Sequence, residues 1–474
     1  MWKILVLVLF GTLVNFSEGN KVGLISMLSF AEYESVVGSQ LKKDGLLQNQ
    51  LKKIALEDIQ LPGLLGLLKI NGLNIADVVL TTHKLNYVPG LRGAEMITGI
   101  RLSIGGSLGI LGDGECTFTV CVSLPRLAGI PTLIKISVEF QSSVKLELTD
   151  YQAGSLRVIF RECNLLFGDI TIEILSVNLT PTALNIIKNS IIGNINVQIC
   201  NILQIVINVV RDRLLDTMNV VIPFEPFGSL RCQLASLPNT IDSILWLHLF
   251  VDFDIGGQGL LSIPDSAPDI ILPPLEKYRY CQCVHAAVLN IFLSVVLRIQ
   301  PQEFSCTPSV FSRADELRAA ILALIPDPPP FISSAILYFR ISLLQSPVLQ
   351  LGNGFAIVKV SAQIEFFVKN SDGSRTSIVI LQTSLSLSAT FSVTKGYLYT
   401  SLSISSHNVA LISSALGITD VSSIEPLCGH LMGETFLVSI NALLSAAIPL
   451  PPVMTVILDK VLIQFIEHGL LLCI

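Results

Sequence analysis

Residues 383–393 read Thr-Ser-Leu-Ser-Leu-Ser-Ala-Thr-Phe-Ser-Val, in which apolar and hydroxyl-bearing side chains alternate. A period of two residues places the apolar side chains on one face of a β-strand and the hydroxyls on the other. The pair Lys395-Gly396 follows, and the alternating pattern returns from Tyr397 to Ile404. The stretch therefore predicts two antiparallel strands joined by a tight turn, with one dry face and one wet face.

The first half of the chain contains a similar pattern. Residues alternate from Leu133 to Thr149, and a second strand region runs from Ser155 to Ile174. A helical pattern then begins near Pro181, a residue suited to the start of a helix, and continues to about Leu215. Apolar residues recur in it at spacings of three and four: Leu184, Ile187, Ile191 and Ile195. We predict long strands followed by one long apolar helix.

The second half repeats that order. After the strands, a helical pattern runs from about Gly429 to Ala447 and is stopped by Pro449. The tail from Met454 to Leu472 has the character of a closing strand. Strands, then an apolar helix, then proline occur in both halves, which predicts an α+β fold with weak internal symmetry.

The composition is unusually apolar. Of 474 residues, 51% are hydrophobic and 14% are charged, and the mean hydropathy is +0.67. That length favours two domains. The longest apolar candidate for a membrane span after the N-terminal segment, from Phe436 to Leu458, is interrupted by Asn441 and Pro449, which argues against spanning. We therefore expect an interior that faces an apolar ligand as well as itself.

The N-terminus predicts a secreted, extracellular protein. Lys3 precedes an apolar stretch from Ile4 to Phe10, and Ser17 and Gly19 suit cleavage before Asn20. These features are typical of a signal peptide over residues 1–19.

Ten cysteines follow the expected cleavage site, an even number that indicates disulfides in a secreted chain. Asn178-Leu179-Thr180 is a glycosylation sequon. We therefore expect a glycan on Asn178, which would make the protein a glycoprotein. The net charge of −6 argues against a nucleic-acid partner.

Four segments carry a resemblance to a known family. They are Ile54–Ile75, Gly90–Ile104, Cys163-Asn164-Leu165-Leu166-Phe167 with Cys200, and the ending formed by Asn441–Pro451 and Gly469–Leu472. In this order they are similar to the bactericidal/permeability-increasing (BPI) fold, and specifically to the long, two-domain members of BPI fold-containing family B. The resemblance covers nearly all of the chain after residue 19.

The resemblance implies a boomerang of two pseudo-symmetric barrels joined by a central sheet. We expect an N-terminal barrel domain over 20–222, a proline-rich linker and central-sheet region over 223–280, and a C-terminal barrel domain over 281–474. It also implies a disulfide between Cys163 and Cys200, while the other eight cysteines allow 105 pairings. Each barrel of the better-known relatives holds phospholipid acyl chains, so we expect pocket residues on the apolar helix and strand: Ile187, Ile191, Ile195, Leu385, Leu387 and Phe391.

The expected function is binding of phospholipid or another apolar ligand, in innate host defence at secretory surfaces and with contact to a membrane or bacterial lipid surface. An alternative is a surface-active protein without a specific ligand. Tight lipopolysaccharide binding is disfavoured, because the basic pairs Lys42-Lys43 and Lys52-Lys53 each lie beside acids.

Two short motifs suggest chemistry that we do not expect. Gly105-Gly106-Ser107-Leu108-Gly109 matches G-x-S-x-G, but we interpret it as a strand bend rather than a nucleophile elbow. Cys281-Gln282-Cys283-Val284-His285 lacks the second ligand pair of a zinc site, so disulfide or idle thiols are favoured. We expect no catalytic residue, no metal, no cofactor and no enzymatic activity.

Overall fold

The computed structural model describes residues 21–61, 68–88, 93–110, 132–152, 155–174, 179–241, 243–256, 259–273, 277–370 and 372–474. The expected signal peptide, Asn178, Cys116 and Cys121 lie outside these residues. The helices are α1 (Phe30–Lys42), α2 (Leu46–Leu51), α3 (Pro181–Asp216), α4 (Ala286–Val296), α5 (Ala314–Leu324), α6 (Pro330–Ser334), α7 (Glu425–Leu431) and α8 (Leu437–Leu444). A π-helical turn, Met432–Phe436, joins α7 to α8.

The strands of the first half are β1 (Leu24–Ser29), β2 (Ile59–Leu61), β3 (Leu68–Tyr87), β4 (Gly93–Ile110), β5 (Thr132–Gln152), β6 (Ser155–Ile174), β7 (Val220–Phe224), β8 (Gly228–Leu234), β9 (Asn239–Ile241), β10 (Ile244–Ile255) and β11 (Gly259–Leu261). Those of the second half are β12 (Tyr280–His285), β13 (Gln302–Ser305), β14 (Leu337–Leu343), β15 (Val348–Gly352), β16 (Phe355–Lys369), β17 (Arg375–Thr394), β18 (Tyr397–Ser414), β19 (Ile448–Pro449), β20 (Leu462–Ile466) and β21 (Gly469–Cys473).

The chain forms two compact units from interleaved stretches. We call Leu28–Asp216 with Leu237–Trp246 the N-unit, and residues 21–27, Thr217–Ser236 and Leu247–Ile474 the C-unit. The domains expected from the sequence, 20–222, 223–280 and 281–474, are contiguous, and this division is not. Most of β1, at the start of the chain, belongs to the C-unit, and the segment Leu237–Trp246 belongs to the N-unit. The expected domains stay a prediction about the chain.

The N-unit is a five-stranded antiparallel sheet in the order β2-β3-β4-β5-β6, with α3 against it. Helix α3 contacts both β6 and β2, the two ends of that order, so the sheet curves round the helix. The helix begins at Pro181 as expected, and the Thr180 hydroxyl caps it by accepting the Ala183 N–H at 3.3 Å. One side of α3 is buried at every third or fourth residue, as Ile187, Ile191 and Ile195 illustrate.

The C-unit contains a seven-stranded sheet in the order β13-β14-β16-β17-β18-β19, with β15 also paired to β16. The quoted stretch 383–393 lies in β17, and Lys395 and Gly396 form the turn to β18 with φ of 50° and 79°. Helices α7 and α8 pack on β18. The chain also forms a nine-stranded sheet in the order β20-β21-β12-β1-β10-β8-β7, with β9 and β11 both paired to β10.

The expectation of a single closing strand at the C-terminal tail was wrong. The tail from Met454 to Leu472 is a 3-10 turn at Val453–Thr455 followed by the hairpin of β20 and β21, because His468 takes a φ of 61° and reverses the chain. Helix α3 and the segment Glu425–Leu444 are both long and apolar enough to cross a membrane by length and composition alone. Each packs a buried stripe on its own sheet, as the core helix of a globular domain does.

Candidate functional site

The N-unit contains an apolar cleft of about 850 Å³ where the ends of β4, β5 and β6 meet the start of α3. Its aliphatic lining is Leu133, Ile134, Ile172, Ile174, Leu179 and Leu184. Lys135 and Glu173, which are opposite each other in the β5–β6 register, supply the charged part of the lining. A cleft of this size and polarity suits the apolar part of a small ligand.

Two glycines of β4 form one wall of this cleft. A Cβ atom built on Gly106 would lie 2.8 Å from Leu73 Cδ2 and 3.3 Å from the carbonyl oxygen of Asn71, which is too close for normal packing. A Cβ atom on Gly105 would lie 3.4 Å from the side-chain oxygen of Asn74. Glycine therefore lets β3 approach β4 closely and leaves this part of the wall without side chains.

The C-unit has a second pocket, of about 570 Å³, beside the start of α4. Its lining includes Ile291, Leu349, Leu351 and two histidines, His285 and His468. The His285 ring accepts the Ala287 N–H at Nδ1 (2.9 Å) and its Nε2 lies 2.8 Å from the Pro268 carbonyl. Burial lowers the pKa of His285, so the neutral ring caps the helix with both nitrogens occupied.

The expected pocket residues lie in the interiors of the two units. Ile187, Ile191 and Ile195 of α3 and Leu385 and Leu387 of β17 are buried in the apolar cores. Phe391 is partly exposed, with its ring 6.0 Å from that of Phe465. None of these six lines either of the clefts just described.

Sequence reasoning missed the residues that do line the N-unit cleft. Leu184 was recognised as part of the helix pattern but not as a residue that lines a cleft. Leu133, which also lines the cleft, directly precedes Ile134 in β5. Two adjacent large apolar residues in an alternating strand place one of them on the outer face, and Leu133 is 65% exposed. That break in the alternation was the available signal.

Two disulfides join secondary-structure elements. Cys163 of β6 is bonded to Cys200 of α3, with 6.2 Å between the Cα atoms. Cys281 of β12 is bonded to Cys473 of β21, with 4.2 Å between the Cα atoms. The first is the pair implied by the family resemblance, and the second selects one pairing that the sequence left open.

The remaining described cysteines are buried thiols: Cys232, Cys283, Cys306 and Cys428. Burial raises the pKa of the Cys283 thiol to about 12, which keeps it protonated and unreactive. Within the described ranges, no group of histidine, cysteine and acidic side chains is arranged to hold a metal ion. The segment 281–285 thus contributes one disulfide, one thiol and one helix cap.

Ser107 lies in the interior of β4, opposite Asn71 of β3 and Leu133 of β5. Its hydroxyl donates to the Asn71 carbonyl oxygen at 3.4 Å. The segment is paired on both sides, and the β3–β4 register shifts beside it, between Asn71 and Asn74, a local irregularity of the kind that accompanies a strand bend. A nucleophile elbow needs a strand-to-helix turn, and Ser107 is not at one.

Comparisons with known proteins match both halves of the chain. The family model "LBP / BPI / CETP family, N-terminal domain" matches residues 39–210, and the corresponding C-terminal domain model matches residues 331–473. BPI fold-containing family B member 4 of Homo sapiens is 26% identical over 414 residues, which cover 85% of this chain and 63% of that protein. The chain thus spans less than two thirds of the length of this human relative.

Two further similarities agree with the match to this family. BPI fold-containing family B member 3 of Rattus norvegicus is 23% identical over 418 residues, covering 86% of this chain and 81% of the relative. The crystal structure of lipopolysaccharide binding protein superimposes with a TM-score of 0.57 at 15% identity, over 96% of this chain and 98% of that one. At that identity the structural likeness concerns the fold alone.

Proposed function

The chain belongs to the LBP / BPI / CETP family, and from that premise we propose that it is a secreted carrier of phospholipid or another apolar ligand. The relative with a similar fold is named for binding lipopolysaccharide, a lipid-containing ligand. We propose a role in host defence at secretory surfaces, outside the cell and without enzymatic activity. Fold alone does not determine function, so the proposal depends on the cleft.

The observation that carries the proposal is the apolar cleft of the N-unit, about 850 Å³ in volume. Leu133, Ile174 and Leu184 contribute aliphatic surface to the cleft. A contiguous apolar surface of this kind is usually covered by a ligand or a partner. An acyl chain covering it would remove that surface from water, at about 25 cal/mol per Å². The buried helix and strand residues Ile191 and Leu387, with their neighbours, are proposed as deeper contacts.

A substitution that fills the cleft tests this proposal. We expect Leu184→Trp to reduce the lipid that co-purifies with protein from a eukaryotic host, as counted by native mass spectrometry and lipid extraction. Val197→Trp is the matched control, because Val197 is on the same helix but 76% exposed. Equal lipid content in both variants and the unsubstituted protein, or no lipid in any of them, contradicts the proposal.

One observation favours a second candidate, a surface-active protein. The N-unit exposes large apolar side chains outside the cleft, with Val197 at 76% and Leu166 at 72%. Such residues lower the cost of spreading at an air–water interface. Tensiometry separates the two candidates: a fall in surface tension that Val197→Asn and Leu166→Asn abolish, without bound lipid, favours the surface-active one.

A further inference from the structure

A row of polar side chains crosses the otherwise apolar interior of the N-unit sheet. His83 of β3 is opposite Thr98 of β4, and Thr98 is opposite Ser142 of β5. Thr98 is 1% exposed and Ser142 is 0% exposed. The neighbours two residues away on β4 and β5 are the buried apolar residues that a core normally contains, Met96, Ile100, Phe140 and Val144.

The row has unused hydrogen-bonding capacity. Ser142 donates to the Thr98 carbonyl oxygen at 3.3 Å, but the Thr98 hydroxyl and both ring nitrogens of His83 have no partner among the described residues. These atoms are shielded from solvent. Buried polar groups in folded proteins are nearly always hydrogen-bonded, because leaving them unpaired forfeits the hydrogen bonds they make in water. Three unpaired atoms on two facing residues therefore point to a partner outside the described part of the chain.

Helix α1 packs against β3 at the His83 end of this row. A Cβ atom on Gly38 would lie 3.0 Å from Cδ2 of His83, so the helix backbone rests against the imidazole ring. Glycine in the middle of a helix weakens it, and here the close approach of the ring explains it. The His83 ring is thus enclosed between α1 and β3, and the Thr98 and Ser142 side chains beside it are buried.

The row is suited to an uncharged partner. Glu34 of α1 already accepts the Leu85 N–H at 2.8 Å. Burial lowers the pKa of His83; Glu34 opposes this shift and Lys42 adds to it. A neutral imidazole has one donor and one acceptor, and the threonine hydroxyl has both. An anionic group placed here would be removed from water without a cation bonded to it, which is strongly unfavourable.

We infer that His83 and Thr98 form a subsite for an uncharged hydrogen-bonding group of the ligand, a hydroxyl or ester oxygen of a neutral amphiphile such as a monoacylglycerol. The inference rests on the proposed function, because it presumes an apolar ligand in the N-unit. This subsite would narrow the ligand class from lipids in general to lipids that carry an uncharged polar group beside an apolar chain.

Displacement of a neutral fluorescent probe, N-phenyl-1-naphthylamine, measures the affinities of monoolein, oleate and 1-octadecene for the chain expressed without residues 1–19. For the unsubstituted protein we expect monoolein to bind more tightly than oleate. Thr98→Val keeps the side-chain shape and removes the hydroxyl, so we expect it to weaken monoolein about tenfold, or about 1.4 kcal/mol. Binding of 1-octadecene should not change. Thr81→Val, on an exposed position of β3, is the matched control and should leave all three affinities unchanged.

The outcomes separate the two proposals. If no lipid displaces the probe from the unsubstituted protein, the carrier function fails, and this inference fails with it. If lipids bind but Thr98→Val and Thr81→Val bind monoolein alike, or oleate binds better than monoolein, only the subsite is overturned and ordinary buried water accounts for the row. Loss of folding does not mimic the expected result, because Thr98→Val removes an unpaired buried hydroxyl and should maintain or raise the unfolding temperature.

Discussion

The disulfide between Cys163 and Cys200 should account for a large share of the stability of the N-unit. The bond joins β6 to α3 across a sequence separation of 37 residues. In the chain-entropy model, a cross-link of that span removes about 13 cal/mol/K from the unfolded chain, which is about 4 kcal/mol at 25 °C. Since whole domains are stable by only about 5–15 kcal/mol, the double substitution Cys163→Ala/Cys200→Ala should bring the N-unit close to unfolding.

Trp246 makes this measurable. The sequence contains two tryptophans, Trp2 and Trp246, and Trp2 is within the expected signal peptide. Trp246 belongs to the N-unit, so its fluorescence during urea titration of the chain without residues 1–19 reports the unfolding of that unit. A reductant should lower the N-unit stability of the unsubstituted protein to that of the double variant. The double variant keeps the Cys281–Cys473 bond of the C-unit, so a reductant should change its N-unit transition much less. A loss below about 1 kcal/mol, or a reductant effect on the variant as large as on the unsubstituted protein, would refute the entropic argument.

Four further outcomes are expected. Ile191→Asp should cost at least about 4 kcal/mol by the same fluorescence assay, because it places an unpaired carboxylate at a fully buried position; less bound lipid at unchanged stability would contradict this. Burial lowers the pKa of His83, so as the pH falls the unfolded chain binds a proton at this residue at a higher pH than the folded N-unit does. The contribution of neutral His83 to N-unit stability is therefore fully present above about pH 6.5 and is lost as the pH falls below that value. His83→Phe should flatten that pH profile, and an unchanged slope would show that other groups cause it. Ser107→Ala should leave lipid binding unchanged, and loss of an esterase activity on this substitution would instead revive a hydrolase. Lipopolysaccharide should not bind with nanomolar affinity that weakens steeply with salt, given the net charge of −6, and a salt titration by calorimetry checks this.

Local pattern in the sequence was enough to predict much of the fold. The strand from Ser155 to Ile174 was predicted with the ends it has as β6, and the helix from Pro181 to about Leu215 is α3, which ends at Asp216. Alternation decides which face of a strand is buried, and a proline after a capping threonine decides where a helix begins. These effects act over a few residues, so they can be recognised in a single sequence.

The clefts, the Cys281–Cys473 bond and the polar row were decided only by the tertiary structure. The register of β3, β4 and β5 brings His83, Thr98 and Ser142 side by side, although the chain separates them by 15 and 44 residues. A shift of one residue in that register would turn Thr98 to the opposite face of the sheet. The sequence by itself determined that each strand has a dry face; which residues share that face across strands depends on pairings between distant segments, because register is set by packing of the whole sheet rather than by neighbours along the chain.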